Sequence, residues 1–114
     1  MTAIVSQHLP LTDATITFED GIPSMFPTAG NYQLLSVLSK VSMDMGLGEV
    51  KPCDPGKRGA GDIAYTSPYI SGLDGLGAEG NGAHSLSETM DIRTFKDLTK
   101  RAVLLIYRLT RDNN

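Results

Sequence analysis

The apolar positions of this chain repeat with two periods, and each period predicts elements. Residues 12–19 (TDATITFE) alternate strictly, Ala14, Ile16 and Phe18 on one side and Thr15, Thr17 and Glu19 on the other, the pattern of a half-buried strand. Asp20-Gly21 then predicts a turn, and residues 21–30, with two prolines, predict a loop. From residue 31 the period lengthens. Leu34, Leu35, Leu38, Val41 and Met45 share one helical face, Asn31 offers an N-capping side chain, and Gly46 offers a terminus, so a helix is expected over 31–45. A second helix is expected over 94–110, opened by Thr94 and Asp97. Phe95, Leu98, Ala102, Leu105, Ile106 and Leu109 form its apolar stripe, and Lys96, Lys100, Arg101, Arg108 and Arg111 face solvent. Arg108 and Arg111 also sit near the negative end of the helix dipole. Shorter signals predict strands over 49–52 and 69–73 and a brief helix over 63–67 before Pro68. Residues 1–9 fit either a helix end or a loose tail. Strands alternating with helices give an α/β fold class with helices packed on a sheet.

Composition narrows the function classes. With 114 residues, 40% apolar and 20% charged, the chain has the size and balance of one small globular unit. A net charge of −3 provides no basic face for nucleic acid, so none is expected as a partner. No apolar run nears the ~18 residues of a membrane span, and no membrane partner is expected. The single cysteine, Cys53, excludes an internal disulfide and leaves the compartment open.

The most unusual stretch is 73–88, LDGLGAEGNGAHSLSE. Gly72, Gly75, Gly77, Gly80 and Gly82 crowd the approach to one histidine, His84. Such density implies that the backbone path matters there, because glycine admits positive φ and close approach at an entropic cost. Ser85 and Glu88 match the S-x-x-E capping box, which predicts a short helical turn directly after the histidine. Gly75 to Gly80 also spells G-x-G-x-x-G, but the run continues past Gly82 without opening a helix in a strand-helix-strand unit, which argues against a dinucleotide site.

The block L-D-G-L-G-x-x-G followed by G-A-H-S-x-x-E resembles the last block of the di-zinc amidohydrolases that include glutamate carboxypeptidase, acetylornithine deacetylase and succinyl-diaminopimelate desuccinylase. The Arg58-Gly59-Ala60-Gly61-Asp62 block, about twenty residues earlier, resembles the same family's glycine-rich pocket turn. The resemblance covers residues 12–111. It implies the C-terminal part of a mixed-sheet zinc-peptidase catalytic domain over 24–114, preceded over 1–23 by a remnant of the lid (dimerisation) domain. It also implies that His84 is a zinc ligand and that the turn Gly59, Ala60, Gly61 and Asp62 binds substrate, a peptide or N-acyl amino acid; Arg58, which the family members lack, is expected to add a bidentate carboxylate contact. In the complete family enzymes two zinc ions polarise the scissile carbonyl and ionise a bridging water, and a glutamate shuttles the proton.

The family's remaining ligands and its general base have no counterpart here, so the chain alone is expected to be inactive and to bind zinc weakly at a single site at most. Plainer roles stand beside these: a hydrogen-bonded loop histidine for His84, a turn aspartate for Asp62, an exposed arginine for Arg58, and helix capping for Glu88. Family members often carry threonine where this chain has Ala60. The alternative function is a non-catalytic module. A strand over 12–19 without sheet neighbours invites pairing, so a homo-oligomer or a complementing N-terminal chain is the expected partner.

Overall fold

The computed structural model describes residues 1–54, 56 and 61–111. Its elements in chain order are α1 (Thr2–Val5), α2 (Ala29–Asp44), α3 (Ile63–Thr66), β1 (Gly80–Asn81), β2 (Thr89–Met90) and α4 (Ile92–Arg111).

Helix α2 begins two residues before the expected cap. Thr28, extended at φ −105° and ψ 168°, is the N-cap, and its hydroxyl accepts the Asn31 N–H at 3.3 Å. Asn31 Oδ1 in turn accepts the Thr28 N–H at 2.6 Å, a reciprocal capping box with asparagine in the place usually held by Glu or Gln. Asn31 is therefore the third residue of the helix. From there its amide also donates to the Gly72 carbonyl at 2.8 Å and ties α2 to the loop after α3. Replacing Asn31 by alanine should cost about 2 kcal/mol, since it removes half of the cap and leaves partly buried backbone groups without a partner. A urea midpoint within error of the parent would contradict this.

The far end of α2 closes as the sequence predicts. Gly46 adopts φ 73°, its N–H bonds the Met43 carbonyl at 2.9 Å, and the Leu47 N–H bonds the Ser42 carbonyl at 2.9 Å. This paired arrangement satisfies two terminal carbonyls and needs the left-handed residue that glycine supplies.

Helices α2 and α4 pack together around Leu38 and Val41 of α2 and Leu98 and Leu105 of α4, with Ala64 of α3 completing the buried apolar set. Arg108 joins Asp44 across the pair at 2.6 Å. It is half-buried in an ion pair instead of freely solvated, because α2 ends beside it. The expected stripe of α4 is split. Leu98 and Leu105 face α2, and Ala102 and Leu109 are half-buried, but Phe95 and Ile106 are 54% and 62% exposed. A helix stripe this wide needs two covering surfaces, and α2 supplies one.

The segments 12–19, 49–52 and 69–73 form no strands. Alternation chooses which face of a strand is apolar but supplies no neighbour, and no described segment lies alongside to complete a ladder. Other bonds take over: the Val50 N–H donates to Ser39 Oγ of α2 at 3.1 Å, and the Ile70 N–H donates to the Thr66 carbonyl in a local turn at 3.1 Å. Among the described residues the only ladder is antiparallel, Gly80 opposite Met90 and Asn81 opposite Thr89. The chain is drawn out, 67 × 38 × 19 Å, with a radius of gyration of 20.2 Å. A compact chain of this length would have about 13 Å.

Candidate functional site

The short ladder makes residues 80–90 a hairpin with His84 in its loop. The hairpin needs glycine at residue 80, where a Cβ would stand 2.1 Å from the Thr89 carbonyl oxygen of the opposite strand. Its base is fastened to α4: the Asp91 N–H bonds the Glu79 carbonyl at 2.8 Å, and the Glu79 N–H reaches Thr94 Oγ1 at 3.4 Å. Within the loop Gly82 has φ 69° and His84 has φ 64°. Left-handed backbone in a non-glycine residue costs on the order of 1 kcal/mol, and histidine is among the residues enriched there.

Residues 85–88 do not form the expected capping box. The Ser85 hydroxyl donates to the Gly82 carbonyl at 2.7 Å and accepts the Ser87 N–H at 3.2 Å. The Glu88 N–H bonds the Ser85 carbonyl at 3.2 Å, so two tight turns replace a helical one. Closing the hairpin dictates this, because the chain must bring Thr89 back beside Asn81. The result leaves the His84 side chain exposed and, among the described residues, without a hydrogen bond or ion pair.

A separate cleft of about 540 Å³ lies between α2, α3 and the loop 72–76, with Arg101 of α4 at its side. Leu35, Leu38 and Ile63 make much of its wall, and Gly61, Asp74 and Arg101 are its polar landmarks. Gly61 and Asp74 touch closely: a Cβ on Gly61 would stand 2.7 Å from Asp74 Oδ2. Asp74 is held by the Gly75 N–H, 2.7 Å from Oδ1. The two glycine-rich blocks thus meet at the cleft, through Gly61 and Asp74.

Of the residues singled out in the sequence, Gly61 lines this cleft, and Asp62 is exposed beside it at the start of α3. His84 is not in the cleft wall. Arg58, Gly59 and Ala60 lie outside the described residues. The sequence reading missed Asp74 and Arg101 as cleft residues. Asp74 was visible as a carboxylate inside the glycine run, whereas Arg101 was assigned to solvent although it follows Leu98 by three positions and so borders the buried stripe. Arg101 is half-buried and forms no ion pair with a described residue.

A zinc ion accepts imidazole nitrogen, and His84 is free to offer one. The described residues do not assemble a complete site, since no three His, Cys, Asp or Glu side chains converge among them. No helix among the described residues is long and apolar enough to cross a membrane.

Among the described residues, Asp91 has the one carboxyl whose acidity is clearly altered. Its side chain accepts from the Arg93 guanidinium at 2.7 and 2.9 Å and from the Arg93 N–H at 3.0 Å, and these bonds hold its pKa below the ordinary aspartate value. Because the folded value is depressed, the clamp's contribution is present above the unfolded pKa and is lost as pH falls through the folded one. Carbon-detected titration should place the Asp91 midpoint below that of an ordinary exposed aspartate. Arg93→Ala should raise it, and an unmoved midpoint would refute the clamp. No family model matches this chain, and neither a curated protein nor a solved structure does.

Proposed function

We propose that this chain is the C-terminal portion of a zinc-dependent metallopeptidase or deacylase. The reaction is hydrolysis of an amide bond next to a carboxylate, in a peptide or N-acyl amino acid, and it requires a complementary N-terminal portion. In this reading residues 1–23 belong to the lid and 24–114 to an α/β catalytic domain whose sheet is completed by that portion. The observation that carries the reading is His84, an exposed imidazole without a partner among the described residues, in left-handed backbone on a hairpin anchored to α4. The cleft adds support. Its apolar wall suits an acyl or side-chain group, and Arg101, without an ion pair among the described residues, suits a substrate carboxylate.

The reading is tested by assaying hydrolysis of a panel of N-acyl amino acids and dipeptides with added zinc. The chain should be inactive alone and active once combined with an N-terminal fragment of a di-zinc amidohydrolase that carries the remaining ligands and the base. Turnover by the isolated chain, or no gain from any N-terminal fragment that forms a stable complex with it, would overturn the proposal.

A further inference from the structure

The cleft between α2, α3 and the loop 72–76 holds two opposite charges that do not pair. Its charged lining residues are Lys51, Asp74 and Arg101. Lys51 is exposed and already lies 3.6 Å from Glu49. Asp74 and Arg101 form no ion pair among the described residues, either with each other or with a third group. Asp74 is nevertheless held in place. Its Oδ1 accepts the Gly75 N–H at 2.7 Å, and Oδ2 lies so close to Gly61 that a Cβ there would stand 2.7 Å away. Arg101 is half-buried, three positions after the buried Leu98, and makes no hydrogen bond with a described residue. A guanidinium that gives up water and gains no partner favours any carboxylate that the cleft admits.

The rest of the wall is largely apolar, Leu35, Leu38 and Ile63 among it, and the volume of about 540 Å³ is that of a small-molecule site. A matching ligand carries an ammonium, a carboxylate and an apolar body. Its two charges stand apart, because Asp74 and Arg101 do not reach each other, and an extended dipeptide separates its charged ends by about 7 Å. An N-acyl amino acid supplies the carboxylate alone and leaves Asp74 unmatched.

We infer that the cleft binds short apolar peptides with both ends free, the terminal ammonium at Asp74 and the terminal carboxylate at Arg101. The inference rests on the cleft's part in the hydrolase reading and chooses the peptide from its two substrate classes. The binding itself uses neither His84 nor zinc.

The test is a nuclear magnetic resonance titration of the whole 114-residue chain, freed of metal with a chelator, with leucyl-leucine. Amide signals of residues 61–64 and 72–76 should shift saturably, and that of His84 should stay in place. N-acetyl-leucyl-leucine, without the ammonium, should bind about fivefold more weakly, as befits the exposed Asp74. Leucyl-leucinamide, without the carboxylate, should lose about tenfold. Asp74→Asn, which keeps an oxygen for the Gly75 N–H, should erase the first difference alone, Arg101→Gln the second alone, and Lys51→Gln neither. Circular dichroism checks that each variant retains its helices, and the three peptides decide the matter on the parent if one does not. No saturable shift at the cleft, equal or tighter binding of either blocked peptide, or differences that survive both substitutions in folded variants overturns the inference. Binding as described by a chain that no N-terminal fragment activates upholds this inference and sinks the hydrolase reading. Absence of binding in a chain that becomes active on complementation does the reverse.

Discussion

Replacing His84 by alanine in the reconstituted enzyme is expected to remove one bound zinc per complex and nearly abolish turnover. Loss of a mere outer-shell partner of a metal ligand costs roughly 10–100-fold in affinity or activity, and loss of the ligand itself should exceed that. The geometry makes the test clean. The ring is exposed and forms no hydrogen bond or ion pair among the described residues, so truncation opens no cavity and breaks no internal bond. Stability of the isolated chain should stay within about 1 kcal/mol of the parent, because the left-handed backbone at residue 84, which alanine adopts less readily than histidine, is the only feature the change disturbs. Full zinc content with unchanged kinetics in the variant complex would sink the ligand role. A large loss of stability in the isolated chain would reassign the histidine to a structural duty.

Leu105→Ala should be the most damaging single substitution to the fold. Leu105 is 5% exposed and packs α4 against α2, one helical repeat of seven from Leu98, which is 7% exposed. Leucine-to-alanine changes in cores cost about 2–5 kcal/mol, the transfer term plus the cavity left behind. Only five apolar residues are buried among those described, so that loss is a large share of what so small a core contributes. Urea unfolding followed by far-UV circular dichroism should show the midpoint fall sharply and the cooperativity decline. Ser42 provides the contrast. Its hydroxyl is buried without a partner among the described residues, so Ser42→Ala removes a polar group that forms no bond and should be neutral or slightly stabilising. Similar effects for the two variants would show that the helix pair is not the stabilising core.

Both long helices were legible because their signals are local. Periodic leucines, a glycine at residue 46 and threonine or aspartate near each start specify a helix from bonds that the segment makes with itself. Even so, the cap of α2 was misplaced. Thr28 and Asn31 are both good capping residues, and the reciprocal bonds between them, with Thr28 as the cap, place Asn31 inside the helix, from where it reaches the Gly72 carbonyl forty-one positions away. The three expected strands failed for the opposite reason: a strand's bonds are made with another segment, which alternation cannot name.

The candidate site divides in the same way. The glycine run and His84 could be picked out from composition and spacing, and the left-handed backbone at residues 82 and 84 agrees with a path that needs special residues. Asp74 and Arg101 became cleft residues only when the loop 72–76 and α4 were brought to α2.

What the sequence determined alone is the pair of amphipathic helices, their glycine and polar end signals, the uneven distribution of charge and the presence of a glycine-framed histidine, all properties of neighbours within a few residues. Tertiary structure decided which half of the α4 stripe is covered, that Arg108 pairs with Asp44, that Gly61 meets Asp74, and that His84 rides on a hairpin instead of a helix start. Those outcomes depend on contacts between segments far apart in the chain, where the free energy of burial and pairing is set by whichever surfaces arrive together.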